Sequence, residues 1–96
     1  MSTNKMPYLE EFKRIAEEFS FALKSETTTD PLYHLTYHRG GDPGITIEYL
    51  CRTDNLFDWH LRGRENGNSQ EFPDSHSLQK WLTQRIAEPL RKPPRR

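Results

Sequence analysis

Residues 44–62 of this chain read Gly44-Ile45-Thr46-Ile47-Glu48-Tyr49-Leu50-Cys51-Arg52-Thr53-Asp54-Asn55-Leu56-Phe57-Asp58-Trp59-His60-Leu61-Arg62. Apolar and polar residues alternate with period two on both sides of the central Thr53-Asp54-Asn55, which is typical of strands that bury one face. The apolar face of the first arm holds Ile45, Ile47, Tyr49 and Cys51, and that of the second holds Phe57, Trp59 and Leu61. The segment therefore predicts an antiparallel hairpin with one buried face.

The turn of this hairpin is constrained, because facing residues of an antiparallel pair lie on the same side of the sheet. A two-residue loop at Asp54-Asn55 would place Tyr49 opposite His60 and mix the two faces. A three-residue loop, 53–55, keeps the faces separate and pairs Cys51 with Phe57, Tyr49 with Trp59 and Ile47 with Leu61. We therefore predict the three-residue loop, with Tyr49 and Trp59 as facing neighbours in the core.

Downstream, Asn66-Gly67 is a strong signal for a second hairpin with a two-residue turn. That turn pairs Leu61 with Phe72, Arg62 with Glu71 and Gly63 with Gln70. Phe72 then joins the apolar face, while Glu71 meets Arg62 on the other face. Two independent turns thus indicate the same core face.

Upstream, residues 32–39 alternate in the same way, with Tyr33, Leu35 and Tyr37 on one face. The turn-forming cluster 40–44 separates them from the central hairpin. One register pairs Tyr37 with Ile45, Leu35 with Ile47 and Tyr33 with Tyr49. A slip of two residues preserves the faces, so this register remains open.

Helical spacing of apolar residues predicts an amphipathic helix over residues 7–24, followed by a loop at 25–31. A second helix is predicted after Pro73, with Asp74, Ser75 and Ser77 as candidate N-caps and an end near Glu88. The predicted fold is α+β: a two-layer sandwich of helix, four-stranded antiparallel meander and helix, with both helices on one sheet face. The domain spans residues 7–90, between a polar leader, 1–6, and a basic Pro-rich tail, 91–96.

Composition is consistent with one small domain of modest stability. The chain has 96 residues, a hydrophobic content of only 32% and no valine. A formal net charge of zero and 11% aromatic residues still favour folding, because each aromatic buries a large area. A homodimer would add further apolar burial.

The zero net charge conceals an asymmetry, because residues 1–90 carry a formal charge of −4 and the tail carries +4. The single cysteine, Cys51, cannot form an internal disulfide, which favours a reducing, cytoplasmic location. No apolar run approaches the ~18 residues of a membrane span. We expect no membrane association.

Motifs that would indicate catalysis are missing: a Gly-rich phosphate loop, a Cys-x-x-Cys pair and a His-Glu-x-x-His helix. His34, Glu48 and His60 fall in one transverse row of the predicted sheet, where a divalent metal is an alternative to ordinary cross-strand pairing. We expect the pairing, because nothing in the spacing requires a metal. The sequence therefore predicts no catalytic residue, no metal and no cofactor.

The polar sheet face, left free by the helices, is the candidate working surface. Arginine beside apolar residues is a common composition of binding anchors. The chain is therefore predicted to be a non-enzymatic protein-binding module, of the inhibitor or adaptor type, acting through Glu48, Leu50, Arg52, Leu56, Asp58, His60, Arg62 and Arg64. The alternative is a nucleic-acid-binding protein that uses the arginines of this face and the tail residues Arg91, Lys92, Arg95 and Arg96. A small metal-dependent enzyme ranks below both.

Overall fold

A computed structural model describes residues 6–41 and 44–86 of the chain. Their elements follow the order α1 (Leu9–Glu18), β1 (Ala22–Thr27), β2 (Leu32–Arg39), β3 (Ile45–Arg52), β4 (Asn55–Glu65), β5 (Asn68–Phe72) and α2 (Ser75–Arg85). The strands form one antiparallel sheet in the order β1-β2-β3-β4-β5. The α+β class and the two helices are as predicted, but the sheet has five strands instead of four.

Both helices pack on one face of the sheet. Phe12 and Ile15 of α1, with Leu78 and Leu82 of α2, are fully or almost fully buried against the apolar residues of the strands. At the centre of this core, the hydroxyl of the buried Tyr49 donates a 2.7 Å hydrogen bond to the carbonyl oxygen of Pro7. This bond ties the chain just before α1 to the middle of the sheet.

Helix α1 ends earlier than the predicted residue 24, and the prediction was wrong there. The Ser20 N–H donates to the carbonyl of Glu17 at 3.1 Å, and the Phe21 N–H donates to that of Ala16 at 2.8 Å. This is a Schellman motif, with Ser20 in the left-handed conformation at φ 65°. Residues 22–27, expected as the helix end and a loop, form the edge strand β1 instead.

The β4–β5 hairpin confirms the prediction made from Asn66-Gly67. Both turn residues have positive φ, 53° and 83°, as a type I′ turn requires. The observed pairs are those predicted: Leu61 with Phe72, Arg62 with Glu71 and Gly63 with Gln70.

The β3–β4 hairpin keeps the predicted faces but not the predicted register. Tyr49 pairs with Leu61 instead of Trp59, and Cys51 pairs with Trp59. The turn itself is the two residues Thr53 and Asp54, since Arg52 pairs with Asn55. Between these pairs β4 holds three residues without a counterpart in β3, namely Leu56, Phe57 and Asp58. This irregularity shifts the register by two residues and leaves Phe57, expected in the core, 94% exposed.

The β2–β3 register is also displaced by two residues from the one proposed, as the open alternative allowed. Tyr37 pairs with Ile47, Leu35 with Tyr49 and Tyr33 with Cys51. The core face is unchanged, because a two-residue slip moves no side chain across the sheet.

Helix α2 begins where the sequence placed it. Asp74 is the N-cap, and its carboxylate accepts a 2.8 Å hydrogen bond from the Ser77 N–H. The described helix ends at Arg85, which donates to the Glu65 carboxylate at 2.9 Å. The predicted end near Glu88, the leader up to residue 5 and the basic tail 91–96 lie outside the described residues.

Candidate functional site

The sheet face opposite the helices is covered by no other element within residues 6–41 and 44–86. We call this surface the open sheet face. Its side chains from β2, β3, β4 and β5 include Leu32, His34, Thr36, His38, Thr46, Glu48, Leu50, Arg52, Asp58, His60, Arg62, Arg64, Ser69 and Glu71. They lie on it because each alternates with a core residue along its strand.

Three transverse rows cross this face. The strand registers place His34, Leu50 and His60 in one row. The next row contains Thr36, Glu48, Arg62 and Glu71, and a third contains His38, Thr46, Arg64 and Ser69. The predicted row of His34, Glu48 and His60 is therefore wrong, because the two-residue slips put Leu50 between the two histidines.

Glu48 is the centre of the face and is only 9% exposed. Its two carboxylate oxygens accept hydrogen bonds from Arg62 at 3.4 Å and from Arg64 at 3.1 Å. The His34 Nε2 lies 3.8 Å from the same carboxylate. A carboxylate so far withdrawn from water requires such partners, since an unpaired buried charge is costly.

Glu71 extends the network to the β5 edge. Arg62 donates to its carboxylate at 3.1 Å, and the His60 Nδ1 lies 3.4 Å from it. These hydrogen bonds, that of Arg62 first, hold the pKa of Glu71 below its usual value. The His60 Nε2 lies 3.3 Å from Asp58. Each ring nitrogen of His60 thus faces a different carboxylate.

Arg52 lies at the end of the face, beside the β3–β4 turn. Its Nε and Nη2 each donate a 2.9 Å hydrogen bond to the Asp54 carboxylate, in a bidentate pair. The guanidinium lowers the pKa of Asp54, and the carboxylate in turn raises the pKa of Arg52. The pair stiffens the turn and fixes the direction of the arginine.

Seven of the eight residues in the sequence-based set lie on the open sheet face. The exception is Leu56, which is half-buried and packs against the core cluster, because the irregularity of β4 interrupts the alternation there. Glu48 is more buried than expected and holds its neighbours in place instead of facing outward. Glu71 belongs to the network but was left out of the predicted set, although its pairing with Arg62 followed from the Asn66-Gly67 turn.

Of the three residues considered for a metal, His34 lies beside Glu48, while this network holds His60 apart from both. Glu48 faces His34 and two arginines, while His60 faces Glu71 and Asp58. In the part of the chain that the structure describes, no three His, Cys, Asp or Glu side chains form a metal-binding group. Cys51 is fully buried on the core side, and burial raises the pKa of its thiol, which disfavours the reactive thiolate. What the open sheet face offers is directed hydrogen bonding from a fixed array of charges.

No protein-family model matches this sequence, and no curated protein or solved structure matches it significantly. None of the helices in residues 6–41 and 44–86 is long and apolar enough to cross a membrane.

Proposed function

We propose that this chain is a small, non-enzymatic protein-binding module that acts in the cytoplasm through its open sheet face. The observation that carries the proposal is the position of Glu48, which is nearly buried at the centre of the face with Arg62 and Arg64 bonded to it. A nearly buried carboxylate that accepts hydrogen bonds from two arginines holds both guanidinium groups in defined directions before any partner binds. Such an arrangement lowers the ordering cost of binding.

The charges of the face favour a protein surface over nucleic acid as the partner. Arg62 and Arg64 share the carboxylate of Glu48, and Arg62 also bonds to Glu71. Phosphate binding requires cations that are free to neutralise phosphates, whereas these are already opposed by carboxylates. A protein with alternating acidic and basic side chains matches such a surface better.

The test begins with affinity capture from the native host lysate, with and without nuclease, followed by calorimetry with the purified partner. Arg52→Ala combined with Arg62→Ala is expected to weaken binding by more than about fivefold. Glu48 keeps its 3.1 Å bond to Arg64 in this variant, so the fold should persist, as circular dichroism will show. Deletion of residues 91–96 should weaken binding less.

The matched control is Arg14→Ala combined with Lys80→Ala, which also removes two exposed cations, but from the helices. This control should bind like the parent. The sheet-face proposal fails if the Arg52/Arg62 variant binds like the parent while the tail deletion abolishes binding. Capture that disappears after nuclease treatment would favour nucleic acid instead.

A further inference from the structure

Phe57 is the most exposed large hydrophobic residue of the described chain, at 94%, ahead of Leu23 at 51%. It lies in the three-residue irregularity at the start of β4. A phenyl ring fully in water forgoes the burial that makes aromatics the main anchors of cores and interfaces. Phe57 is therefore a candidate for contact with another molecule.

The backbone that presents Phe57 is held by several hydrogen bonds. The Phe57 N–H donates to the Asn55 side chain at 3.1 Å, and the bidentate Arg52–Asp54 pair closes the preceding turn. The Thr53 N–H donates to the Pro31 carbonyl at 2.8 Å, which ties this turn to the β1–β2 loop. These hydrogen bonds hold residues 52–57 in place, and we call this segment the braced tip. The exposure of the Phe57 ring therefore follows from the fold.

A cavity of about 370 Å³ opens at the same end of the molecule. Thr53 of the turn is one of its walls, and the others are Met6, Leu9, Glu10, Lys13, Thr28, Asp30 and Tyr33. Met6, Leu9 and Tyr33 give it apolar surface, while Lys13 supplies a cation and Glu10 and Asp30 supply carboxylates. It is an open depression, unlike the enclosed cavity of about 150 Å³ that holds a benzene molecule, but its volume is enough to receive a phenyl ring.

We propose that two copies of this chain associate about a two-fold axis, with Phe57 of each copy inserted into the Met6–Leu9–Tyr33 cavity of the other. A two-fold interface requires one surface that carries both complementary parts, and the braced tip and the cavity share Thr53. The cavity walls carry Lys13 together with the carboxylates of Glu10 and Asp30, so Asp58 beside the tip, with a side chain 46% exposed, pairs in this arrangement with Lys13 of the other copy. Asp58 also belongs to the open sheet face, but the dimer does not depend on the function proposed for that face.

The test is sedimentation velocity of the full chain between about 1 μM and 1 mM, the range in which weak dimers dissociate. The parent should show a concentration-dependent monomer–dimer equilibrium. Phe57→Ser should raise the dimer dissociation constant by at least about tenfold without loss of folding, because the ring has little contact within its own chain. Leu23→Ser, at an exposed site on β1, is the matched control and should dimerise like the parent.

Exchanging the charges of Lys13 and Asp58 tests whether the tip of one copy binds in the cavity of the other. Lys13→Glu should weaken the dimer, and adding Asp58→Lys should restore it, because the exchanged pair is again of opposite sign. The proposal is overturned if the parent is monomeric at every concentration or if Phe57→Ser dimerises like the parent. A Lys13→Glu variant that dimerises normally overturns it as well, since the cavity would then not be the seat of the ring.

Discussion

Gly63 shows how one residue is fixed by packing that the sequence does not reveal. A Cβ added to it would lie 2.7 Å from Cζ3 of Trp81 and 3.1 Å from Cε2 of Phe72. Its φ is not in the left-handed region, so the restriction is steric. The sequence correctly paired Gly63 with Gln70, but nothing in it indicated that the indole of α2 would cover this point of β4.

Gly63→Ala should therefore destabilise the protein by about 1–3 kcal/mol, the usual cost of overpacking a core. Urea unfolding followed by tryptophan fluorescence gives the free energy of unfolding. Gly40→Ala is the control, because no heavy atom of the described residues beyond its chain neighbours lies within 4 Å of the added Cβ, and its effect should stay within about 0.5 kcal/mol. Equal losses at the two positions would show that Trp81 does not restrict Gly63.

At the scale of elements, a prediction is accurate where a few neighbouring residues determine the structure by themselves. The Asn66-Gly67 turn fixes its own hairpin, because both residues tolerate positive φ and the loop length leaves one register. Elsewhere, period-two alternation determines only which face of the sheet a side chain lies on. Both wrong registers differ from the observed ones by two residues, and a shift of two residues leaves the alternation unchanged.

The end of α1 was missed for another reason. Ala22 and Leu23 continue the helical spacing, and Ser20 occupies the left-handed position that glycine usually marks. Leu23 matches the helical spacing of the apolar residues, but it lies in β1 and is 51% exposed, so it is not a core residue. The open sheet face was located in spite of these errors, because it depends on the face of each side chain and not on its exact partner.

Ser20→Gly should stabilise the protein by about 0.5–1 kcal/mol, because glycine adopts the left-handed conformation without the steric cost borne by other residues. Thermal and urea unfolding will measure the change. Ser25→Gly, within β1, should instead destabilise by a similar amount. A loss of stability in Ser20→Gly would argue against the Schellman end of α1.

At the scale of the whole molecule, ionisable groups limit the pH range of stability. The Arg62 and His60 hydrogen bonds lower the pKa of Glu71, and Arg52 lowers that of Asp54. A lowered pKa in the folded state contributes stability above the unfolded value of about 4, which is lost as the pH falls through the folded value. Burial raises the pKa of Tyr49, so its contribution is present below about pH 10 and is lost at higher pH.

We therefore expect the free energy of unfolding to be greatest between about pH 5 and 9 and to fall on both sides. Urea titrations at a series of pH values will show this dependence. Tyr49→Phe removes the hydroxyl and should flatten the alkaline fall, while leaving the acid fall unchanged. An alkaline fall as steep as that of the parent would exclude Tyr49 as its main cause.

The edge strand β1 has a consequence for how the molecule opens. All six of its residues are exposed, its described pairing is with β2 alone, and that pairing is interrupted between Leu23 and Ser25. Segments with few buried contacts open locally at a fraction of the global free energy of unfolding. Amide hydrogens in β1 should thus exchange with solvent much faster than those of β3, whose core-facing residues are fully buried.

Native-state hydrogen exchange followed by mass spectrometry would measure this difference, and exchange in β1 as slow as in β3 would contradict it. Among the Lys and Arg residues of the described segments 6–41 and 44–86, trypsin should likewise cut first after Lys24, within β1. The unit that unfolds cooperatively is then the pair of helices with strands β2 to β5. β1 would open by itself, so that its amide hydrogens exchange with solvent while strands β2 to β5 stay paired.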